Sequence, residues 1–399
     1  MFAQVKRIAG TFVLAVSLIA AGSLVAGAES AEPKASSPAQ PKASSPAPYP
    51  KSPKGLKAPV RQPKAVDLAS GYFPQVSCDP RALRGAVRFR DLVLRSYRIG
   101  RSGGITRSCS QGGGSEHKEG RSWDWMLDVR KPKEKAAAGD FLAWMTASNG
   151  LKARRLGVMY VIYNKRIWSA YRMREGWRKY TGSSSHQDHI HFSFSWAGGR
   201  GNTSFWTGKI GRVDYGRCSY FSGQPALLRS RARTTPCRSA AKSVKLSRYP
   251  TLTYGSTSSK MKTAQKRLGV KQTGRLDGAT WSRVQRYQSA NDLPRTGALD
   301  HATWSALVPS QLKYNAGKGQ TPTSAAAYGR KYYAKTTLKH YSAGKAVLYL
   351  QIALNMPSVQ RNGVYGTKTV AAVKAAQSDK GVRRTGITTK SLWSVLPRR

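Results

Sequence analysis

Half of the histidines in this 399-residue chain, three of six, sit in one short stretch, SSSHQDHIHFSF. They are His186, His189 and His191, with Asp188 between the first two. A fourth, His117, lies upstream in GGGSEHKEGRSWDWMLD, seven residues before Asp124. A Gly-rich turn precedes this pair and a strand pattern follows it, so both side chains can converge on one point. With His191 they supply two imidazoles and one carboxylate. Three such ligands, with a fourth position left to water, make a catalytic zinc set. The expected metal ligands are therefore His117, Asp124 and His191, and the expected cofactor is Zn2+. Asp128, farther along the strand, reads as a salt-bridge partner. His301 and His340 read as ordinary solvated histidines.

A base must accompany the metal. Along a strand His189 and His191 share a face and Asp188 points the other way, which favours His189. His186 can orient one of them or line the cleft. The free ring nitrogens of His117 and His191 each need a partner that the sequence does not identify. Arg98, Arg101 and Arg107 precede the first cluster, and a guanidinium there can take a substrate carboxylate.

The skeleton Ser115-x-His117-x-x-Gly120-x-Ser122-x-Asp124 resembles the SxHxxGxAxD pattern of D-alanyl-D-alanine metallopeptidases, with Ser122 in place of Ala. HQDHIH is similar to the H-x-D-H-x-H segment of murein endopeptidases in the same lysostaphin–hedgehog-type fold. The resemblance spans Cys78 to Trp196 and is strong at the two motifs. It implies the same three zinc ligands. It also implies an acid three residues before the last ligand, which is Asp188. A bulge at the start of the strand reconciles this with the pleat, and both Asp188 and His189 stand as candidate bases.

Several elements must position these residues. DPRALRGAVRFRDLVLRSYR has helical periodicity, with Leu83, Val87, Leu92 and Leu94 near one side. AAAGDFLAWMTASNG reads as a helix ended by Gly150, LGVMYVIYN and KRIWSAY as a hairpin turning near Asn164, and SWDWMLDVR and HIHFSFSW as strands. Helices mixed with antiparallel strands predict an α+β domain over 66–240.

Ahead of that domain, Lys6 and Arg7 precede an apolar run that closes on small residues at 26–28, predicting a signal peptide over 1–28 and export. Pro/Ser/Lys-rich sequence over 29–65, with PKASSPA twice, predicts a flexible linker. No later segment is apolar enough to predict membrane insertion. In an exported chain four cysteines favour two disulfides, and short loop closure favours Cys78–Cys109 and Cys218–Cys237. The balance of 68 Lys and Arg against 18 Asp and Glu, a formal charge of +50, attracts any polyanion. Anionic cell-wall polymers are the expected partners. Specific nucleic-acid binding is not expected, because aromatic–basic RNA motifs and zinc-finger spacing are lacking.

The C-terminal third repeats. Gln265 matches Gln351, Gly274 matches Gly363, Gln288 matches Gln377 and Trp304 matches Trp393. Each copy reads as a three-helix unit, over 250–310 and 336–398, with a linker over 311–335. Both copies resemble the peptidoglycan-binding domain of cell-wall hydrolases, the second with YGTKT for DGATW. Together the resemblances imply a secreted, wall-associated, monomeric zinc peptidase acting on stem-peptide or crosslink amides of peptidoglycan. The alternative is a wall-binding protein with an inactive peptidase-like domain.

Overall fold

SWDWM and IHFSF alternate apolar and polar residues with a period of two, and this places opposite chemistries on the two faces of one sheet. The computed structural model describes residues 54–79, 81–219, 223–228, 231–237, 240, 249–308, 319–357 and 360–397. The expected signal peptide and the tract over 29–53 lie outside them. Six strands, β1 (Arg101–Gly104), β2 (Ser122–Met126), β3 (Val158–Tyr163), β4 (Arg166–Ser169), β5 (Arg178–Lys179) and β6 (Ile190–Phe194), form an antiparallel sheet. Their order is β1-β2-β6-β3-β4-β5, so β2 and β6 are central neighbours. The β3–β4 hairpin turns at Asn164 and Lys165, both with positive φ, as a two-residue turn with right-handed twist demands.

Trp123, Trp125, Ile190, Phe192 and Phe194 share one buried core with residues of α1 (Arg84–Tyr97) and α2 (Pro132–Leu156). The helical periodicity over α1 holds, but its buried stripe is Gly85, Ala86, Phe89 and Val93, whereas Val87, Leu92 and Leu94 are partly buried. Gly85 explains the shift. A Cβ there would meet the Gly198 carbonyl at 2.1 Å, so the helix backbone sits directly on α3 (Trp196–Arg200). In α2, residues Ala147 to Gly150 leave helical geometry where the stop was expected, and the chain then resumes a helix to Leu156.

Residues 54–65, expected as linker, lie instead along the domain. Lys54 and Gly55 donate backbone N–H groups to the Asp140 carboxylate, Leu56 enters the core, and Gln62 donates to Ser204 O in α4 (Ser204–Thr207). Both expected disulfides form, Cys78–Cys109 and Cys218–Cys237.

The first repeat folds as α5 (Ser259–Leu268), α6 (Gly278–Ala290) and α7 (His301–Leu307). The second folds as α9 (Lys345–Ala353), α10 (Thr367–Asp379) and α11 (Lys390–Val395). The segment between them is not only a linker. It contains α8 (Pro322–Tyr333), with Thr321 and Ser324 in a capping box, and Ala325 and Ala326 are buried in the second module. Four glutamines hold the two modules together in the same way. Gln265, Gln288, Gln351 and Gln377 accept the N–H of Gly274, Gly297, Gly363 and Gly386, respectively. Their amide groups donate to the carbonyls of Arg275, Ala298, Val364 and Ile387. Each module is thus a doubled unit, visible in module 1 as TGRLDGATW and TGALDHATW. Asp277 and Asp300 cap α6 and α7. In module 2 the position matching Asp277 is Gly366, and Asp292 of module 1 accepts the N–H of Thr367 at that helix start.

Candidate metal centre

Asp124 on β2 lies directly across from His191 on β6, on the sheet face away from the tryptophans. His117 comes from a short 3-10 helix, Glu116–Glu119, that leads into β2. The remaining motif residues build this turn. The Ser115 hydroxyl accepts the His117 N–H, and Gly120 ends the turn at φ 66°. A Cβ on Gly120 would come within 2.0 Å of the Arg81 carbonyl, so glycine is required there. Arg121, fully buried, pairs with Glu119 at 2.8 Å and donates to Phe194 O, fastening the turn to β6.

The three expected ligand residues come together, with their candidate ligand atoms all within 4.8 Å of one another. Asp124 Oδ1 is 2.9 Å from His191 Nδ1 and 3.1 Å from His117 Nε2, and those two nitrogens are 3.3 Å apart. All three residues are buried.

The outer ring nitrogens show which atoms hold protons. His117 Nδ1 is 3.1 Å from the Ile105 carbonyl, which only accepts, so Nδ1 carries the proton. His191 Nε2 is 2.9 Å from Ser193 Oγ, and Ser193 donates its one proton to Glu116 Oε2 at 3.2 Å. Nε2 of His191 must therefore be the donor to Ser193. Two imidazole lone pairs are left facing a carboxylate, with no proton between them. Protonating both rings would relieve this, but burial holds the His191 imidazole below its ordinary value. Burial also opposes ionisation of Asp124; protons on the two facing rings would outweigh it and hold the carboxyl below its usual range, as would a bound cation. A neutral-imidazole, ionised-carboxylate site is what a divalent metal requires, so the donor set fits zinc.

Ser193, Glu116 and Tyr160, which donates to Glu116 Oε2 at 2.5 Å, went unrecognised in the sequence as supports of His191. The available signal was the alternation of β6, which puts Ser193 on the face of His191. Ser122, the departure from the peptidase motif, is 3.0 Å from Ser193 Oγ and completes its hydrogen bonds.

The strand β6 begins at Ile190, so both candidate bases sit in the loop before it. That loop is held by Asn164 N–H on His186 O at 2.7 Å and Val129 N–H on Gln187 O at 2.8 Å. His189 Nε2 lies 3.8 Å from Asp124 Oδ1. Asp188 points outward, its side chain 62% exposed, and accepts from His189 Nδ1 at 2.8 Å. His186 is buried against the rings of His189 and His191, at centroid distances of 4.7 and 5.7 Å. It lines the cleft, and its Nδ1 donates to Ser184 O, not to a neighbouring imidazole. Burial pushes the His186 imidazole down to about 4.

Asp124 and His191 open on a cleft of ≈ 780 Å³ that Arg107, Tyr160, Arg172, Arg178 and Tyr180 also line. Of the three arginines singled out in the sequence, Arg107 reaches this cleft, with its guanidinium 4.0 Å from Asp124. Asp128 pairs with Arg130 at 2.6 Å, as expected. His340 is half-buried, 3.9 Å from Asp292, rather than freely solvated.

Among the described residues no helix is long and apolar enough to cross a membrane. A family model described as "VldE, C-terminal domain" matches residues 78–191, from the first disulfide cysteine to the last candidate ligand. A second, described as "Putative peptidoglycan binding domain", matches residues 344–396, which is module 2. No curated protein and no solved structure matches the chain. Neither description names a peptidase. The second match supports association with peptidoglycan, and with the two disulfides it fits a wall-associated protein outside the cell.

Proposed function

We propose that this chain is an exported zinc-dependent peptidase that hydrolyses stem-peptide or crosslink amides of peptidoglycan. The observation that carries the reading is the convergence of two imidazole lone pairs and a carboxylate at a cleft, on a chain that also holds a peptidoglycan-binding domain. His117 Nε2, His191 Nδ1 and an Asp124 oxygen would hold the metal. Zinc bound there supplies Lewis-acid polarisation of a carbonyl and acidifies a water.

The protein's own groups do the rest. His189 Nε2 faces the ligand cluster and takes the proton of the attacking water, then returns it to the leaving amine. Asp188, on His189 Nδ1, fixes the tautomer and stabilises the imidazolium. Arg107 holds a substrate carboxylate beside Asp124. Ser193 and Glu116 keep His191 in its ligating tautomer. Module 1 shares the glutamine architecture of module 2 and is assigned the same wall-binding role.

The test is metal content and amine release from purified cell wall. Wild type should carry one equivalent of zinc per chain and release amines. His117→Ala should abolish both while sedimentation with insoluble wall persists. Release that survives this substitution and chelation overturns the proposal. Zinc-loaded protein that sediments with wall and releases nothing leaves the alternative, a wall-binding protein with a silent site.

A further inference from the structure

The metal-bearing domain does not form its cleft alone. Gln224, Thr251 and Thr253, from module 1 and the segment leading into it, also line the cleft. Module 1 is held against the domain by several independent contacts. Ala226 N–H donates to Val76 O at 2.9 Å, and two residues later Leu228 N–H donates to Arg295 O at 2.9 Å. The Leu228 side chain is buried in the core of module 1. Arg81 lies 5.2 Å from the Trp281 ring centre. A Cβ on Gly255 would come within 2.7 Å of Ser108 Oγ, so the module's backbone rests on the loop that Cys109 anchors to Cys78. Gln224 Oε1 accepts from Thr251 Oγ1 at 3.1 Å, which orders this part of the lining.

The two sources of lining differ in chemistry. The metal-bearing domain contributes arginines, tyrosines and carboxylates among its serines, whereas module 1 contributes two hydroxyls and the segment before it an amide, all without charge. Guanidinium groups suit a carboxylate; neutral donors and acceptors suit peptide amides. The cleft lies in the upper part of the roughly 300–1,000 Å³ range of pockets that enclose drug-sized ligands, more than a single terminal residue needs.

We infer that module 1 and the segment leading into it supply a substrate subsite, in which Gln224, Thr251 and Thr253 receive the amide backbone of the second peptide of a crosslinked pair. The inference rests on the proposed peptidase reading and narrows it to the crosslink as preferred substrate.

The experiment compares kcat/KM of the full-length, zinc-loaded protein on a crosslinked muropeptide dimer and on a single-stem peptide. Wild type should favour the dimer. The Thr251→Val/Thr253→Val variant, which keeps side-chain volume, and Thr253→Trp, which fills the lining, should each lower the dimer-to-single ratio about tenfold. An unchanged ratio in both variants, or a wild type that does not favour the dimer, overturns the inference. Should wild type hydrolyse neither substrate, the peptidase reading fails separately. Calorimetric titration with the intact dimer then decides the subsite: about tenfold weaker binding by both variants supports it, and equal affinity removes it.

Discussion

The sheet face of the α+β domain and the cores of the two modules bury polar side chains to different ends. In the modules each buried glutamine meets a glycine N–H and a carbonyl of the same loop, so donor and acceptor are both matched. On β2 and β6, Ser122, Ser193 and Glu116 are matched in the same sense, but the inner nitrogens of His117 and His191 are aimed at Asp124 with no proton to share. A buried polar group left without a partner costs about 1–3 kcal/mol. The modules avoid that cost within the polypeptide. The sheet face leaves that pairing to a cation under the proposed function, and the difference separates a scaffold from a candidate site.

The largest test of this contrast is on the proposed proton acceptor. His189→Gln should lower kcat on a soluble peptide about 10²- to 10⁴-fold, and Asp188→Asn, acting through His189, about 10- to 100-fold. A reversed ranking in steady-state kinetics would make Asp188 the base. Acid comes next. Burial, reinforced by the charges of His191 and His189, places the His186 imidazole near 4 in the folded chain. The unfolded chain takes up that proton from about 6.5 downward, so between these values it binds more protons than the fold does. This contribution to stability is present above pH 6.5 and is lost as pH falls toward 4, by about 3 kcal/mol. Hydrogen exchange on chelated protein should show acid loosening β6 before the helices of the modules, and His186→Asn should reduce the difference. The smallest effect is expected from Gln351→Leu. It leaves the buried Gly363 N–H without its acceptor and should cost module 2 about 2 kcal/mol, read as weaker retention on wall with soluble-peptide hydrolysis intact. If hydrolysis falls equally, the two regions are not independent.

The convergence of His117, Asp124 and His191 was legible because it uses strand alternation and the local spacing of one turn, both of which survive in one dimension. The placement of His189 and Asp188 was not, because they precede the strand and their directions are set by a loop held on Asn164 and Val129. The stripe of α1 was displaced because Gly85 carries a backbone-to-backbone contact that no hydrophobic pattern records. Residues 54–65 looked like linker because a single leucine and a few hydrogen bonds fasten them. By contrast α8 did leave a signal, Thr321 followed by Pro322 and Ser324, and so did the doubled TG–Leu-Asp–Ala-Thr-Trp unit of module 1. These were readable as a cap and a half-length repeat.

The pairing of Ser122 with Ser193 bears on how such sites diverge. Ser193 has one proton and two lone pairs, and Glu116, His191 and Ser122 use all three. Replacing Ser193 alone strands a hydroxyl on one strand and a ring N–H on the other, whereas replacing Ser122 alone removes only a donor. Substitution is therefore easier in one order than in the reverse. Among chains descended from a common ancestor, a serine at the first position should occur with a hydroxyl at the second far more often than without it, a covariation that an alignment of such chains would reveal.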